Sequence, residues 1–373
     1  MRSMKFNQMY QYLLRSLLVL TFLLILTVTH AQRKYSNEFL NIGVGGQSHG
    51  LSGAMTAHTN DVFSTFWNPA GLTQLDAPFQ VGAMHAEWFG GIAGYDYLGF
   101  AKPLNSENKS VMGLSLIRLG IDDIPYTLNL VEPDGTINYD NLSTFSTADY
   151  GIFLSYAREI KIKGKTLSVG GNAKVIRRVI GQIGGSWGFG LDIGAQYKSG
   201  PWQFAFMGKD ITSTFNAWSF TLTDQEKETF VITDNDVPES SIEITTPTFI
   251  LGTAYSIKFG QNYSLLSAMD LNFTTDGQRN VLVSSKAFNI DPHLGFQLNY
   301  KKFLFLRAGV GNFQRAKDDI NGEKEILTVQ PNFGVGFKLG KVKLDYALTD
   351  IGDASQVEKS HIFSLTLDLK GKK

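Results

Sequence analysis

The chain has 373 residues, with 34 basic and 34 acidic side chains and a formal net charge of zero. This balance gives no overall basic field that would attract nucleic acid. Cysteine is absent, which excludes disulfides, thiolate metal sites and a lipid-anchored cysteine. Charged residues make up only 18% of the chain, and there are 38 glycines, whereas soluble domains usually have about 25% charged residues.

The first 31 residues have the three parts of a secretory signal peptide. Basic residues precede an apolar run from Leu17 to Val28, and the run is followed by a small-residue cleavage site that ends at Ala31. We therefore expect a mature chain that begins at Gln32. A membrane anchor is the alternative, but the apolar run is shorter than the ~20 residues that a spanning helix needs.

A glycine-rich segment follows, from Phe39 to Leu75, and it contains a Trp-Asn-Pro-Ala-Gly turn. Asn68 can cap a short helical turn, and Pro69 can open that turn because a first helical position has no N–H bond to lose. Gly71 then lets the backbone turn away. We assign residues 32–76 to this N-terminal segment.

Residues 77–373 alternate between apolar and polar positions with the period of two that is typical of β-strands. Phe189, Leu191 and Ile193, for example, share one face, and Asp192 belongs to the other. The pattern predicts fourteen strands, near residues 78–88, 91–101, 110–119, 147–157, 166–179, 186–198, 202–214, 247–259, 262–273, 288–300, 303–313, 327–339, 341–349 and 360–370. The predicted fold is all-β, a 14-stranded antiparallel transmembrane β-barrel, because an even number of strands of this length suits a bilayer.

The connections between the predicted strands support the barrel. Tight and mostly basic turns fall at every second connection, near residues 161–165, 198–201, 259–262, 301–302 and 340–341. The other connections include two long acidic ones, at 120–146 and 215–246. Short periplasmic turns and longer extracellular loops are typical of outer-membrane barrels. A soluble β-sandwich is the alternative, but the aromatic residues at strand ends and the signal peptide favour the barrel.

Polar residues on the second face of the strands should point into the lumen. They are Lys174, Asp192, Gln196, Asp270, Asn272, Asp291, His293, Gln297, Asn332, Lys338, Asp345 and Asp368. Such residues could form a hydrogen-bonded network that holds the N-terminal segment, or they could line a permeation path.

The sequence offers no catalytic constellation. Ser48 and Ser186 match the G-x-S-x-G pattern of hydrolase nucleophiles, but neither has the strand before it and the helix after it that such a serine needs. No two histidines of the mature chain stand at metal-ligand spacing. We therefore expect no enzyme activity, no cofactor and no metal ion.

Three stretches, Phe39–Gly45, Asn60–Val62 and Trp67–Leu72, resemble the N-terminal signature of the PorV/PorQ family of Bacteroidetes outer-membrane proteins. That family is related to the FadL-type fatty-acid channels. The resemblance implies that residues 32–76 fold into the lumen of a barrel formed by residues 77–373 and act as a plug. The candidate plug residues are Asp61, Trp67, Asn68, Pro69 and Gly71.

The resemblance implies two possible functions. A PorV-like component of the type IX secretion system would bind the C-terminal domain of secreted cargo, or translocon and attachment partners, through extracellular loops. A FadL-like channel would instead admit hydrophobic small molecules. The candidate partner-binding residues of the long loops are Ile124, Tyr126, Leu128, Trp218 and Phe220. Both functions imply a protein of the cell outer membrane, in contact with lipid and not with nucleic acid.

Overall fold

The computed structural model describes residues 36–132, 135–317, 325–349 and 359–369. The predicted signal peptide, residues 1–31, lies outside the described residues. The described part of the chain contains seventeen strands. In chain order they are β1 Phe79–Trp88, β2 Ala93–Asn105, β3 Ser110–Tyr126, β4 Ser143–Ile162, β5 Lys165–Ile180, β6 Gly184–Ser199, β7 Trp202–Lys209, β8 Thr214–Phe220, β9 Ile242–Thr245, β10 Thr248–Phe259, β11 Tyr263–Thr274, β12 Val283–Ser284, β13 Asn289–Tyr300, β14 Leu304–Lys317, β15 Glu325–Leu339, β16 Val342–Thr349 and β17 Ser360–Leu369.

The strands close into one antiparallel barrel, because β1 pairs with β2 on one side and with β17 on the other. Strands β7 and β8 pair with successive parts of β6, so together they occupy one strand position in the wall. Strands β9 and β10 share the next position, and β12 is a two-residue strand in a loop. The wall therefore has fourteen positions, which confirms the predicted 14-stranded barrel.

The two faces of the wall differ as the alternation predicts. Large apolar side chains such as Phe189, Leu344 and Phe363 are exposed on the outer face. Most of the residues predicted to point inward are buried or half-buried, and Lys174 and Asp192 are nearly inaccessible. Lys338 differs: it is exposed near the turn between β15 and β16. An apolar outer face is what hydrocarbon requires, since lipid offers no hydrogen bonds to polar side chains.

The N-terminal segment lies against the inner face of the wall on two sides. Its helix α1 (Gly46–Gly50) contacts strands β14 to β17, and its 3-10 turn Pro69–Gln74 contacts strands β3 to β6. The segment also contains a 3-10 turn at Glu38–Asn41 and helix α2 (Ser64–Trp67). Leu51, Val62 and Leu72 from this segment are fully buried. The burial of these side chains fixes the segment inside the barrel.

The turn after α2 has the predicted cap and proline. The prediction that Gly71 turns the backbone away was wrong, because Gly71 lies inside the 3-10 turn, which continues to Gln74. The Asn68 side chain accepts a hydrogen bond from the Ala70 backbone N–H at 3.1 Å, and Pro69 occupies the first helical position. A Cβ atom added at Gly71 would overlap the carbonyl oxygen of Thr59. Glycine is therefore required here by close packing against the backbone of Thr59.

The predicted loop boundaries at one end of the barrel were wrong. Strand β3 continues to Tyr126 and β4 begins at Ser143, so the first long loop covers only residues 127–142. The sequence did not reveal this extension, because Asp122 and Asp123 interrupt the apolar alternation. The strand bulges at these residues, and Asp123 has a φ of 56°. The candidate residues are corrected accordingly: Ile124 and Tyr126 belong to β3, Leu128 follows it, and Trp218 and Phe220 belong to β8.

The second long connection also contains regular structure. Helix α3 (Asp224–Ile232) begins with a capping box, in which Thr223 and Glu226 satisfy each other's backbone N–H groups. The loop that remains is 221–241, including α3. We call the end of the barrel with residues 127–142, 221–241 and 275–288 the loop end. In the described part of the chain, no helix is both long and apolar enough to cross a membrane.

Candidate functional site

A cavity of about 580 Å³ lies between the N-terminal segment and the loop end. We call it the lumen cavity. Its floor and walls include His49, Ser52, Phe66, Trp67, Trp88, Lys209, Thr248, Asn272, Asp291, His293, Asn312, Gln314, Gln330 and Asn332. A pocket of this volume can hold a small organic molecule.

Trp67 forms part of the cavity floor. Its indole Nε1–H donates a hydrogen bond to the Val44 carbonyl at 2.8 Å, and its ring lies edge to face with Phe66 at a centroid distance of 5.1 Å. A Cβ atom at Gly43 would lie 3.0 Å from the indole ring, and Gly43 has a φ of +92°. The backbone of the N-terminal segment is therefore shaped around this indole.

A buried ion cluster joins the N-terminal segment to strands β14 and β16. Arg307 Nη2 lies 2.8 Å from Asp345 Oδ1, and both side chains are at most 2% exposed. Lys343 Nζ lies 3.3 Å from Asp345 Oδ2 and 3.9 Å from Asp61 Oδ2, and it also contacts the Gln47 side chain. We call these four charged residues the Arg307 cluster. Burial raises the pKa of Asp61, and the charge of Lys343 opposes this shift.

A second buried cluster lies in the opposite part of the wall. Lys174 Nζ, on β5, lies 2.8 Å from Asp192 Oδ1 and 2.6 Å from Asp210 Oδ1. Asp192 Oδ1 also accepts a hydrogen bond from the Asp210 backbone N–H at 2.8 Å. We call these three residues the Lys174 cluster. Asn172 links it to the N-terminal segment, because its Nδ2 donates to Thr65 O at 2.9 Å and to Asp192 Oδ2 at 3.3 Å.

The hydrogen-bonded wall is interrupted beside the Lys174 cluster. Pairing between β7 and β10 ends at Lys209 and Thr248, and pairing between β8 and β9 resumes at Thr214 and Thr245. Residues 210–213 thus face only residues 246–247. We call these two short segments the wall interruption. Lys209 and Thr248 also line the lumen cavity, so the cavity extends to the last paired residues beside the interruption.

Local chemistry explains why the ladder stops there. Asp210 and Ser213 have φ values of 56° and 58°, which L-residues rarely adopt and which do not continue a strand. Pro247 on the facing strand has no backbone N–H to donate. The Lys209 ammonium lies 4.4 Å from the Phe66 ring centroid, close enough for a cation–π contact with the N-terminal segment.

Two histidines of the N-terminal segment are neutral at pH 7. Burial lowers the pKa values of His49 and His58 to about 4. Hydrogen bonds to backbone carbonyls raise these pKa values, but by less than burial lowers them. His49 Nε2 lies 3.2 Å from the Gly43 carbonyl oxygen, and His58 Nε2 lies 2.8 Å from the Ala54 carbonyl oxygen. The described residues include no cluster of three potential metal ligands of the His, Cys, Asp or Glu type.

The candidate loop residues fall into two groups. The Tyr126 hydroxyl donates a hydrogen bond to Glu226 Oε1, and Thr229 Oγ1 donates one to the Leu128 carbonyl at 2.9 Å. These two hydrogen bonds connect the first loop to α3. The Trp218 and Phe220 rings stack at 5.8 Å. Ile124 is half-buried in β3. Their partners are other parts of this chain, and the more exposed apolar side chains of the loops are different residues.

The sequence analysis missed three residues that organise the lumen. Arg307 stands at an inward position between the outward-facing Leu306 and Ala308, so the alternation of β14 could have identified it. Asn172 stands two residues before Lys174 on the polar face of β5, so the same alternation could have identified it. The position of Lys209 could not be predicted, because it depends on where β7 stops.

Sequence comparison gives no relative: no family model matches the chain, and no curated protein is significantly similar. Solved structures share its fold. The toluene transporter TodX of Pseudomonas putida is 13% identical with a TM-score of 0.54, covering 88% of this chain and 99% of its own. The Ralstonia pickettii toluene transporter TbuX is 10% identical with a TM-score of 0.52, and the monoaromatic hydrocarbon channel CymD is 13% identical with a TM-score of 0.53. Each match covers 88% of this chain and 98% of the other chain. The likeness shows the barrel fold.

Proposed function

We propose that this protein is an outer-membrane channel that admits small hydrophobic molecules. The observation that carries the proposal is the lumen cavity, which extends to Lys209 and Thr248, the last paired residues beside the wall interruption. The shared fold supports it, because the similar structures are described as hydrocarbon channels and toluene transporters. The exposed apolar outer face supports placement in a lipid bilayer.

The proposed route runs from the loop end into the lumen cavity and then sideways through the wall interruption. Below the cavity, the N-terminal segment occupies the lumen with fully buried side chains such as Leu51 and Leu72. A ligand on Trp67 would therefore lie against the packed side of the N-terminal segment. The interruption has no backbone ladder between its two segments, so opening it breaks few backbone hydrogen bonds.

Deleting Ile211 and Thr212 tests the route. In the native chain, four residues on one side of the interruption face two on the other. The deletion leaves two on each side, so the backbone ladder should continue across the interruption. The protein would be reconstituted in liposomes, and uptake of radiolabelled toluene would be measured. We expect uptake to fall at least tenfold.

A matched control deletes Asn235 and Asp236 from the exposed loop after α3. Both variants must migrate as folded barrels on unheated gels. Unchanged toluene uptake in the wall variant would contradict the lateral route. Absence of uptake by the native protein would contradict the channel itself.

A different observation favours a second candidate, the PorV-like role in type IX secretion. The loop end carries strongly exposed apolar side chains, among them Ile137 (61%), Tyr139 (72%) and Val231 (67%). Helix α3 itself carries acidic residues such as Asp224 and Glu228. An apolar area with a charged rim suits protein docking.

Shortening residues 127–142 and 221–241 to tight turns separates the two candidates. The variants would be returned to the native host, where surface display of type IX cargo and toluene uptake are both measured. Lost display with normal uptake would support docking. Normal display would count against the secretion role, whatever happens to uptake.

A further inference from the structure

The lining of the lumen cavity contains more polar side chains than a pocket for bare hydrocarbon needs. Eight asparagine and glutamine side chains line it, together with Phe66, Trp67, Trp88 and Phe89. Three of the amides form a relay along the inner wall: Gln314 Nε2 donates to Asn312 Oδ1 at 2.7 Å, and Asn312 Nδ2 donates to Gln330 Oε1 at 3.0 Å. Amides both donate and accept hydrogen bonds, so the cavity combines aromatic surface with mixed hydrogen-bonding capacity.

Several polar atoms of the lining are buried without a partner among the described residues. Trp88 Nε1 is an unsatisfied donor, and Asn332 Oδ1 and Asp291 Oδ1 are unsatisfied acceptors. Asn332 is only 6% exposed. Buried polar groups are nearly always hydrogen-bonded in folded proteins. These atoms therefore point to a ligand that can both accept from an indole N–H and donate to oxygen, once the side chains turn to present them to the cavity.

The charged groups of the cavity are mostly neutralised by one another. Arg279 Nη2 lies 3.1 Å from Glu38 Oε1, and His293 Nε2 lies 3.2 Å from Asp291 Oδ2. The Lys209 ammonium rests over the Phe66 ring. A carboxylate ligand could pair with Lys209 but would meet the acceptor oxygens of Asp291 and Asn332. A hydroxyl group meets no such conflict, because it donates and accepts.

We propose that the lumen cavity binds a neutral, hydroxyl-rich ligand with an apolar face or tail, for which an aryl or alkyl glycoside is the fullest chemical match. The hydroxyl groups would pair with Trp88 Nε1, Asn332 Oδ1 and the amide relay. The apolar part would pack on the aromatic floor at Phe66 and Trp67. This inference rests on the proposed channel only for its account of how the ligand arrives; the binding chemistry follows from the lining itself.

The first test compares ligands on the native protein. It would be extracted in lauryldimethylamine oxide, since glycoside detergents would occupy the site, and transferred to lipid nanodiscs. Isothermal titration would then measure phenyl β-D-glucopyranoside, toluene and benzoate. We expect the glucoside to bind at least tenfold more tightly than the other two. Toluene or benzoate binding as tightly as the glucoside would overturn the proposal.

The second test removes single polar groups. Trp88→Phe keeps an aromatic ring but loses the indole N–H, and should weaken glucoside binding about tenfold, as expected for one buried hydrogen bond. Toluene affinity should change much less, because toluene accepts no hydrogen bond from the indole N–H. Gln314→Leu removes one amide of the relay and should also weaken glucoside binding. Trp187→Phe, on the exposed outer face, is the matched control and should change neither. An equal loss for glucoside and toluene in Trp88→Phe would show a packing role and overturn the assignment.

Uptake by liposomes made with the same protein separates this inference from the channel proposal. Toluene uptake without glucoside binding would overturn the inference and leave the channel intact. Glucoside binding without uptake of either compound would support the inference and count against the channel.

Discussion

The two buried ion clusters have similar chemistry but join different parts of the molecule. The Lys174 cluster takes all three of its charges from the wall, at the point where strand β7 stops pairing. The Arg307 cluster takes three charges from a regularly paired wall and one, Asp61, from the N-terminal segment. The difference suggests a division of labour: the first cluster holds an irregular wall in shape, and the second fastens the segment inside it.

The largest expected effects come from removing one charge of each cluster. Asp345→Ala leaves Arg307 buried without its carboxylate, and Lys174→Met leaves Asp192 and Asp210 facing each other. Each should lower the free energy of unfolding by about 3–5 kcal/mol, as for a broken buried ion pair. Urea unfolding followed by tryptophan fluorescence would measure both.

The same two variants should differ in leak. Asp345→Ala should increase passage of small solutes through reconstituted barrels, since it loosens the contact with Asp61, whereas Lys174→Met should not. Asp368→Ala is a milder control, because Asp368 accepts from the neutral Gln80 side chain at 2.6 Å. Equal leak in both cluster variants would contradict the division of labour.

Lowering the pH should weaken the N-terminal segment before the wall. His49 and His58 have folded pKa values of about 4, whereas an unfolded histidine titrates near 6.5. Between pH 6.5 and 4 the unfolded state therefore binds more protons, so stability falls as the pH falls, by roughly 3 kcal/mol for each histidine at pH 4. Asp61 acts in the opposite direction, because its pKa is raised.

Urea unfolding at pH 7 and pH 4.5 would measure this loss. The double variant His49→Gln, His58→Gln should show a much smaller difference between the two pH values. If the double variant kept the full dependence, other groups would be responsible for it.

The connection between the Lys174 cluster and the N-terminal segment is weaker. Asn172→Ala removes one hydrogen bond to the Thr65 carbonyl and one to Asp192. We expect a loss of about 1–2 kcal/mol in the free energy of unfolding, because the Thr65 carbonyl stays buried without that donor. Asn262→Ala, in the exposed turn between β10 and β11, is the control. A loss as large as that of Asp345→Ala would mean that both clusters fasten the segment.

The smallest effect is expected at the loop end. Thr223→Ala removes the N-cap of α3 and should cost about 1 kcal/mol locally. Hydrogen exchange should become faster in α3 and unchanged in the strands. Faster exchange in β7 or β10 would show that the loops are coupled to the wall interruption.

The barrel was predictable because its signal repeats along the chain. Period-two alternation in segments such as β6 and β17 reflects one face in lipid and one in the lumen, and each strand repeats that pattern independently. The tight turns then fixed the direction of successive strands. The loop-end boundaries were less predictable, because strands that extend beyond the apolar belt lose their alternation, as β3 does at Asp122.

The sequence by itself determined the all-β barrel, the inward face and the short capped turn at Asn68 and Pro69, because these depend on neighbours within a few residues. Tertiary structure alone decided how Asp61 meets Lys343, where β7 stops, and which polar atoms around Trp88 and Asn332 lack partners. Those features join residues that are far apart in the chain, across the strands and the segment they enclose. Their energies depend on burial and distance, which local patterns do not contain.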